Sequence, residues 1–147
     1  MTLKRFNVLF ALAFVSSVSA SDLVETNVGG GLKLKVPSDS VEKAQSSFIM
    51  MRDNLKGCKD TFTEYLDPII GKTNTLIVSK SRSGVCQVTW IKDSLWQYTC
   101  EAPSLGRKKW LSIFSDRVKE ERYFGDFSEY EQSILFDDKS CMVKRQR

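Results

Sequence analysis

The sequence predicts an α+β domain, in which an antiparallel sheet of three to four strands packs against one long N-terminal helix. Smaller C-terminal helices and two disulfides complete the predicted fold. Apolar residues recur every three or four positions between residues 41 and 58, which is the period of a helix with one buried face. Two segments on either side of Asp93 alternate between apolar and polar residues, as half-buried strands do. Four cysteines, an even number, favour two disulfides in an exported chain.

The long helix is predicted to begin at Asp39, with Glu42 positioned to return the capping bond. Its expected buried face consists of Val41, Ala44, Phe48, Met51, Leu55 and Cys58. Gly57 provides one place for the helix to end. The alternative is a helix that continues through Phe62 to Leu66, before Asp67 and Pro68.

Short strands are predicted on both sides of this helix. Residues 29–31 are three glycines, which favour a flexible segment. Leu32–Val36 alternates apolar and charged residues, and Pro37 ends that strand. Residues 73–80 are rich in β-forming residues, and the turn at residues 81–84 leads into the next strand.

The segment around Asp93 predicts both a hairpin and the disulfides. If residues 85–91 fold back on residues 95–101 around Asp93, Cys86 faces Cys100 and the apolar residues share one side. Directly opposed residues lie about 4.5–5.5 Å apart at Cα, which a disulfide tolerates. The sequence therefore predicts the bond Cys86–Cys100 and, by elimination, Cys58–Cys141.

A second helix is predicted after Pro103, with an apolar stripe of Trp110, Leu111, Phe114 and Val118. Ser128 and Glu131 form a capping box that opens a short helix extending to Leu135. The chain then reaches Cys141 and a basic segment, Lys144, Arg145 and Arg147. We interpret this segment as a solvated terminus, with binding to an acidic surface as the alternative.

The first 20 residues have the three-part pattern of a secretory signal peptide. Lys4 and Arg5 precede an apolar run, residues 6–15, and small residues lead to Ala20. A membrane span would need about 20 apolar residues, roughly twice this run. We expect cleavage between Ala20 and Ser21, which leaves residues 21–147 as a single disulfide-bonded domain. The chain has no N-glycosylation motif, which favours a bacterial periplasmic or secreted protein.

Charge and residue types restrict the possible functions. The chain has 22 basic and 18 acidic residues, and removal of Lys4 and Arg5 leaves a net charge of +2. That value gives no support for nucleic acid as a partner. Because the chain has no histidine, it has no Ser-His-Asp triad, and zinc is not expected since the cysteines lack close spacing.

Two patterns could still carry chemistry. Ser40 and Lys43 match the S-x-x-K arrangement of serine nucleophiles, although serine is also common where a helix begins. Asp126, Glu129 and Glu131 form an acidic cluster that could act on a glycosidic bond. Acidic residues are equally favoured in the first turn of a helix, and we adopt this structural interpretation. We therefore assign no catalytic, cofactor-binding or metal-binding residues.

The sequence-based hypothesis is an exported bacterial protein that binds or assists another envelope protein without being an enzyme. It could serve a pilus, a secretion or conjugation apparatus, or virulence. The alternatives are a carboxylate-dependent hydrolase and a secreted effector or inhibitor. An acidic pocket at Glu129 and Glu131 would favour the hydrolase, whereas an exposed aromatic patch or an open sheet edge would favour partner binding.

Overall fold

The computed structural model describes residues 22–137 and 139–147, so the predicted signal peptide, residues 1–20, lies outside the described residues. The strands are β1 (Leu23–Gly29), β2 (Leu32–Pro37), β3 (Thr61–Asp67), β4 (Lys72–Lys80), β5 (Cys86–Lys92), β6 (Trp96–Glu101) and β7 (Cys141–Arg145). The helices are α1 (Ser38–Leu55), α2 (Ser104–Lys119) and the single turn α3 (Glu129–Gln132), which a π-helical turn, Ser133–Asp137, extends.

The fold is α+β, as the sequence predicts, but the sheet is larger than expected. Strands β3 to β7 form one antiparallel sheet in sequence order, and β1 and β2 form a separate hairpin. The main sheet therefore has five strands rather than three to four. The expectation of one long helix is also incomplete, because α2 has 16 residues against 18 in α1.

Helix α1 packs against β3, β4 and α2, and α2 contacts the same face of the sheet through Arg117, whose guanidinium lies over Trp90 of β5. Phe48 of α1 lies at the centre of the core and is fully buried. Its ring centroid lies 5.5 Å from that of Tyr65 on β3, 5.7 Å from that of Trp90 on β5 and 6.0 Å from that of Phe114 on α2. Aromatic pairs at these distances add to the stability that burial provides, so one ring joins both helices to the sheet.

The N-cap of helix α1 is Pro37, two residues before the predicted Asp39, and the expected capping box at Asp39 and Glu42 is wrong. The helix follows Pro37 directly, without a side-chain cap. The N–H of Ser38 instead donates to the carbonyl of Asp22 at 2.8 Å. The chain before β1 therefore supplies the acceptor for the N–H of Ser38, while Asp39 Oδ1 accepts the N–H of the adjacent Ser40 instead of closing a capping box.

The C-terminal end of α1 and the structure of the three glycines also differ from what the sequence predicts. The helix ends at Leu55, and the alternative of a helix running to Leu66 is wrong because Thr61–Asp67 forms β3. Gly29, Gly30 and Gly31, all with positive φ, connect β1 to β2 in a hairpin. Glycine adopts such angles without a steric penalty. The predicted strand at residues 32–36 is confirmed, and β1 is its partner.

The hairpin of β5 and β6 has a register two residues away from the predicted one. Val88 pairs with Cys100, and Trp90 pairs with Tyr98. Asp93 and Ser94 both have positive φ and lie in the turn between the strands. Because side chains alternate with a period of two, a shift by two residues leaves every side chain on its predicted face. The apolar pattern could not distinguish the two registers.

The disulfides connect Cys58 to Cys86 and Cys100 to Cys141, so the predicted pairs Cys86–Cys100 and Cys58–Cys141 are wrong. In the actual register Cys86 lies beside Ala102, whose N–H donates to the Cys86 carbonyl at 2.7 Å. Cys100 instead lies opposite Cys141 on β7, with a Cα–Cα distance of 3.9 Å. The missed strand β7 is therefore the reason for the wrong disulfide map.

The C-terminal third contains a confirmed capping box, a correction to the buried face of α2 and a strand that was not predicted. The capping box of Ser128 and Glu131 is present, with both reciprocal hydrogen bonds. Leu111 and Val118 of the predicted α2 stripe are only partly buried, because the buried face consists of Trp110, Ile113, Phe114 and Arg117. The basic residues are exposed, as expected of a solvated segment, but Lys144 and Arg145 lie in the unpredicted strand β7, which completes the sheet.

Candidate binding surfaces

The acidic candidate Glu131 lies in a buried ion cluster with two arginines. Arg117 donates from Nε to Glu131 Oε1 at 2.6 Å and from Nη2 to Oε2 at 2.8 Å. Arg122 donates from Nη2 to Glu131 Oε1 at 2.9 Å. The N–H of Ser128 donates to Glu131 Oε2 at 2.8 Å. This carboxylate thus accepts hydrogen bonds from three residues while being only 2% exposed.

The charges of the cluster keep Glu131 ionised. Burial alone raises the pKa of a carboxylic acid, but the hydrogen bonds and charges of Arg117 and Arg122 outweigh burial and lower the pKa of Glu131 to about 2. Burial likewise disfavours the charged form of Arg122, yet its bonds to Glu131 and Glu120 raise its pKa above the ordinary value. A carboxylate in this state is poorly suited to donate or accept a proton near neutral pH.

The cluster links α2, the loop after it and α3. The guanidinium of Arg117 lies 4.7 Å from the ring centroid of Trp90 and 5.6 Å from that of Phe48, which is a cation–π geometry. It also donates to the carbonyl of Arg122 at 3.2 Å. These contacts give Arg117 a structural role at the centre of the core.

The position of Arg117 in the sequence indicates that it is buried, although arginine is usually exposed. Arg117 follows Ile113 by four residues and Phe114 by three, so it lies on the buried face of α2. An arginine at such a position needs a buried acidic partner. Glu131, already assigned to a capping box, was the available carboxylate.

The other candidate catalytic residues do not form a common site. Asp126 and Glu129 are both exposed, on either side of the Ser128 cap. Ser40 and Lys43 lie in the first turns of α1, where Ser40 donates its N–H to Asp39 Oδ1 at 2.8 Å. Within residues 22–137 and 139–147, no group of three or more potential ligands from His, Cys, Asp and Glu could hold a metal ion.

A cleft of about 800 Å³ lies between the β1–β2 turn, the two turns at one end of the sheet and the loop after α2. Its walls include Ile70 and Phe127, and its charged side chains include Asp67 and Asp93. Asp67 Oδ1 accepts the N–H of Ile69 at 2.9 Å, and Asp93 Oδ2 pairs with Lys92 Nζ at 2.8 Å. One oxygen of each carboxylate therefore has a partner within the fold, whereas Asp93 Oδ1 is buried without a hydrogen-bond partner.

The acidic pocket that would favour a hydrolase does not form in this cleft. Asp126 lines the cleft, but Glu129 and Glu131 are not among its lining residues. The three acidic residues that are close in sequence thus separate into one cleft residue, one exposed residue and one buried ion-pair partner.

Strand β7 forms one edge of the sheet, and the direction of its backbone groups follows from two hydrogen bonds. The N–H of Glu101 donates to the carbonyl of Ser140 at 2.9 Å, and the N–H of Gln146 donates to that of Leu95 at 2.7 Å. Hydrogen-bonded and non-hydrogen-bonded pairs alternate along an antiparallel ladder. The even-numbered residues from 140 to 146 therefore bond to β6, and the odd-numbered residues direct their backbone groups away from the sheet.

The outward backbone groups of β7 lie among exposed side chains. Val143 is 44% exposed and Met142 is 71% exposed, while Lys144 and Arg145 are exposed and positively charged. Among the described strands, none pairs with the outer side of β7. This edge presents donors and acceptors in the geometry that an added strand requires.

Comparisons with protein-family models, with curated proteins and with solved structures find no match for this chain.

In the part of the chain that the structure describes, no helix has both the length and the apolar character needed to cross a membrane.

Proposed function

We propose that this protein is an exported bacterial binding or accessory protein without enzymatic activity, and that it binds its partner by strand addition at β7. The open edge of β7 is the observation that carries the proposal, because its outward backbone groups can continue the antiparallel ladder. The signal-peptide pattern of residues 1–20 supports export. The two disulfides are compatible with an oxidising compartment such as the periplasm.

The side chains of β7 favour an extended partner segment with acidic and apolar residues. Lys144 and Arg145 would attract acidic side chains, and their contribution should weaken as salt concentration rises. Met142 and Val143 offer apolar surface next to these charges. The same positive charges disfavour pairing between β7 strands of two copies, so the edge is better suited to a different protein.

The hydrolase alternative has less support. It relied on a pair of accessible carboxylates, and the buried ion cluster occupies Glu131. Glu129 is exposed but does not line the cleft. The proposal therefore depends on surface recognition and not on proton transfer.

Val143→Pro is expected to weaken partner binding by about tenfold or more, because it removes one outward N–H and places a ring at the edge. Proline is tolerated on edge strands where its nitrogen faces away from the ladder, so the fold should persist. Val143→Thr is the matched control, since it keeps the N–H and the β-branched shape. Binding would be measured on the partner cross-linked and isolated from the envelope fraction of the producing cell.

Circular dichroism and thermal unfolding would first establish that both variants are folded. Equal affinity of folded Val143→Pro and Val143→Thr for the partner would contradict strand addition at β7. Loss of binding in Val143→Thr as well would assign recognition to the side chain instead of the backbone edge.

A further inference from the structure

The outer face of the five-stranded sheet is turned away from both long helices. The strand registers align its side chains in rows across the sheet. One row contains Phe62, Ile77, Thr89, Thr99 and Met142, and the next contains Glu64, Thr75, Ile91, Gln97 and Lys144. Phe62 and Met142 are 63% and 71% exposed at opposite ends of the first row.

The second row has opposite charges at its two ends. Glu64 on β3 and Lys144 on β7 lie at opposite ends of the same row, with Ile91 on the central strand β5 between them. Both charged side chains are exposed. Glu64 and Lys144 thus lie symmetrically about β5, and the exposed Glu101 on β6 adds a negative charge two rows away from Lys144.

We infer that this face is a homodimer interface, in which two copies pack sheet against sheet around a two-fold axis parallel to β5. This rotation places β3 of one copy over β7 of the other. Glu64 then lies against Lys144 of the second copy, and the reverse contact forms by symmetry. Phe62 meets Met142 in the same way, and Ile91 lies near the axis.

The competing two-fold arrangement is electrostatically unfavourable. An axis perpendicular to the strands and centred on the second row places Glu64 over Glu64 and Lys144 over Lys144. Like charges opposed across an interface disfavour association. The charge pattern therefore selects the axis parallel to β5 and identifies a second copy as the partner that fits.

The size of the face predicts a reversible dimer. Five strands about 4.8 Å apart and three to four rows of outward side chains span roughly 20 Å in each direction, or about 400–500 Å² in projection. Stable interfaces bury about 800 Å² on each partner. We therefore expect association that depends on concentration and weakens with salt. Face-to-face packing leaves the backbone groups at the β7 edge free but engages the side chains of Met142 and Lys144, so a strand added to the dimer would contact the side chains of Val143 and Arg145.

The test is sedimentation equilibrium of the purified, oxidised protein over a dilution series. Lys144→Glu is expected to raise the dissociation constant about tenfold, because both symmetry-related attractions become repulsions. The double variant Glu64→Lys/Lys144→Glu exchanges the two charges and should restore association to nearly the wild-type level. Lys108→Glu, on the exposed side of α2, makes the same change in net charge and should leave the dissociation constant unchanged.

Thermal unfolding would establish that each variant is folded before its association is measured. A wild-type protein that remains monomeric up to ~1 mM would overturn the inference, because that limit excludes even a weak complex. Equal weakening by Lys108→Glu, or a double variant that stays as weak as Lys144→Glu, would overturn it as well. Rescue by the exchanged charges is the supporting result.

Discussion

Glu131→Gln is expected to lower the free energy of unfolding by about 3–5 kcal/mol, because it leaves Arg117 and Arg122 without their buried counter-charge. Glu131 accepts hydrogen bonds from both guanidinium groups, and all three side chains are almost entirely buried. A domain of this size is stabilised by about 5–15 kcal/mol in total. Chemical denaturation of the variant and the wild-type protein would measure the loss.

Glu129→Gln is the matched control, since Glu129 lies two residues away in the same helix and is exposed. We expect it to change the free energy of unfolding by less than about 0.5 kcal/mol. A Glu131→Gln variant as stable as Glu129→Gln would show that the ion cluster does not stabilise the fold.

The same cluster predicts a pH dependence. The pKa of Glu131 is lowered to about 2 in the folded protein, against an ordinary value of 4.5. Its contribution of about 3 kcal/mol is therefore fully present above pH 4.5 and is lost as the pH falls towards 2. The difference in unfolding free energy between wild type and Glu131→Gln should shrink over this interval. A difference that stays constant from about pH 6 to about pH 2.5 would contradict the lowered pKa.

Removal of either disulfide is expected to cost up to about 4 kcal/mol, because the two bonds close loops of similar length. The sequence separations are 28 residues for Cys58–Cys86 and 41 residues for Cys100–Cys141. The double serine variants Cys58→Ser/Cys86→Ser and Cys100→Ser/Cys141→Ser should therefore lose nearly equal stability. Denaturation under oxidising conditions would measure both losses.

Peptide mapping of the unreduced protein distinguishes the two disulfide maps. The structure predicts one linked peptide pair that contains Cys58 and Cys86, and another that contains Cys100 and Cys141. A peptide linking Cys86 to Cys100 would instead support the register that centres the hairpin on Asp93.

The sequence was sufficient for features in which local pattern and tertiary structure agree. The apolar period of residues 41–58 identified α1, and Ser128 with Glu131 identified the start of α3, because both depend on neighbouring residues. It was insufficient where a long-range partner decides the structure. The carbonyl of Asp22 replaces the expected cap of α1, and no local pattern reveals such a bond.

The β7 edge also combines features that the local sequence reveals with features that long-range pairing decides. The basic residues of β7 were visible, but the strand itself depends on pairing with β6, from which α2 and α3 separate it along the chain. Its short, highly charged sequence gives no alternation that would predict a strand. The hairpin register failed for a related reason, since a two-residue shift preserves every face but changes every cross-strand partner, including those of Cys86 and Cys100.

Residue-resolved amide hydrogen exchange, measured by NMR with and without the partner, tests strand addition at β7 most directly. In the free protein the amides of Met142 and Lys144 should exchange slowly, because they bond to β6, whereas those of Val143 and Arg145 should exchange fast. Addition of the partner is predicted to protect Val143 and Arg145 as well. Unchanged fast exchange at these two amides in the saturated complex would contradict the proposal.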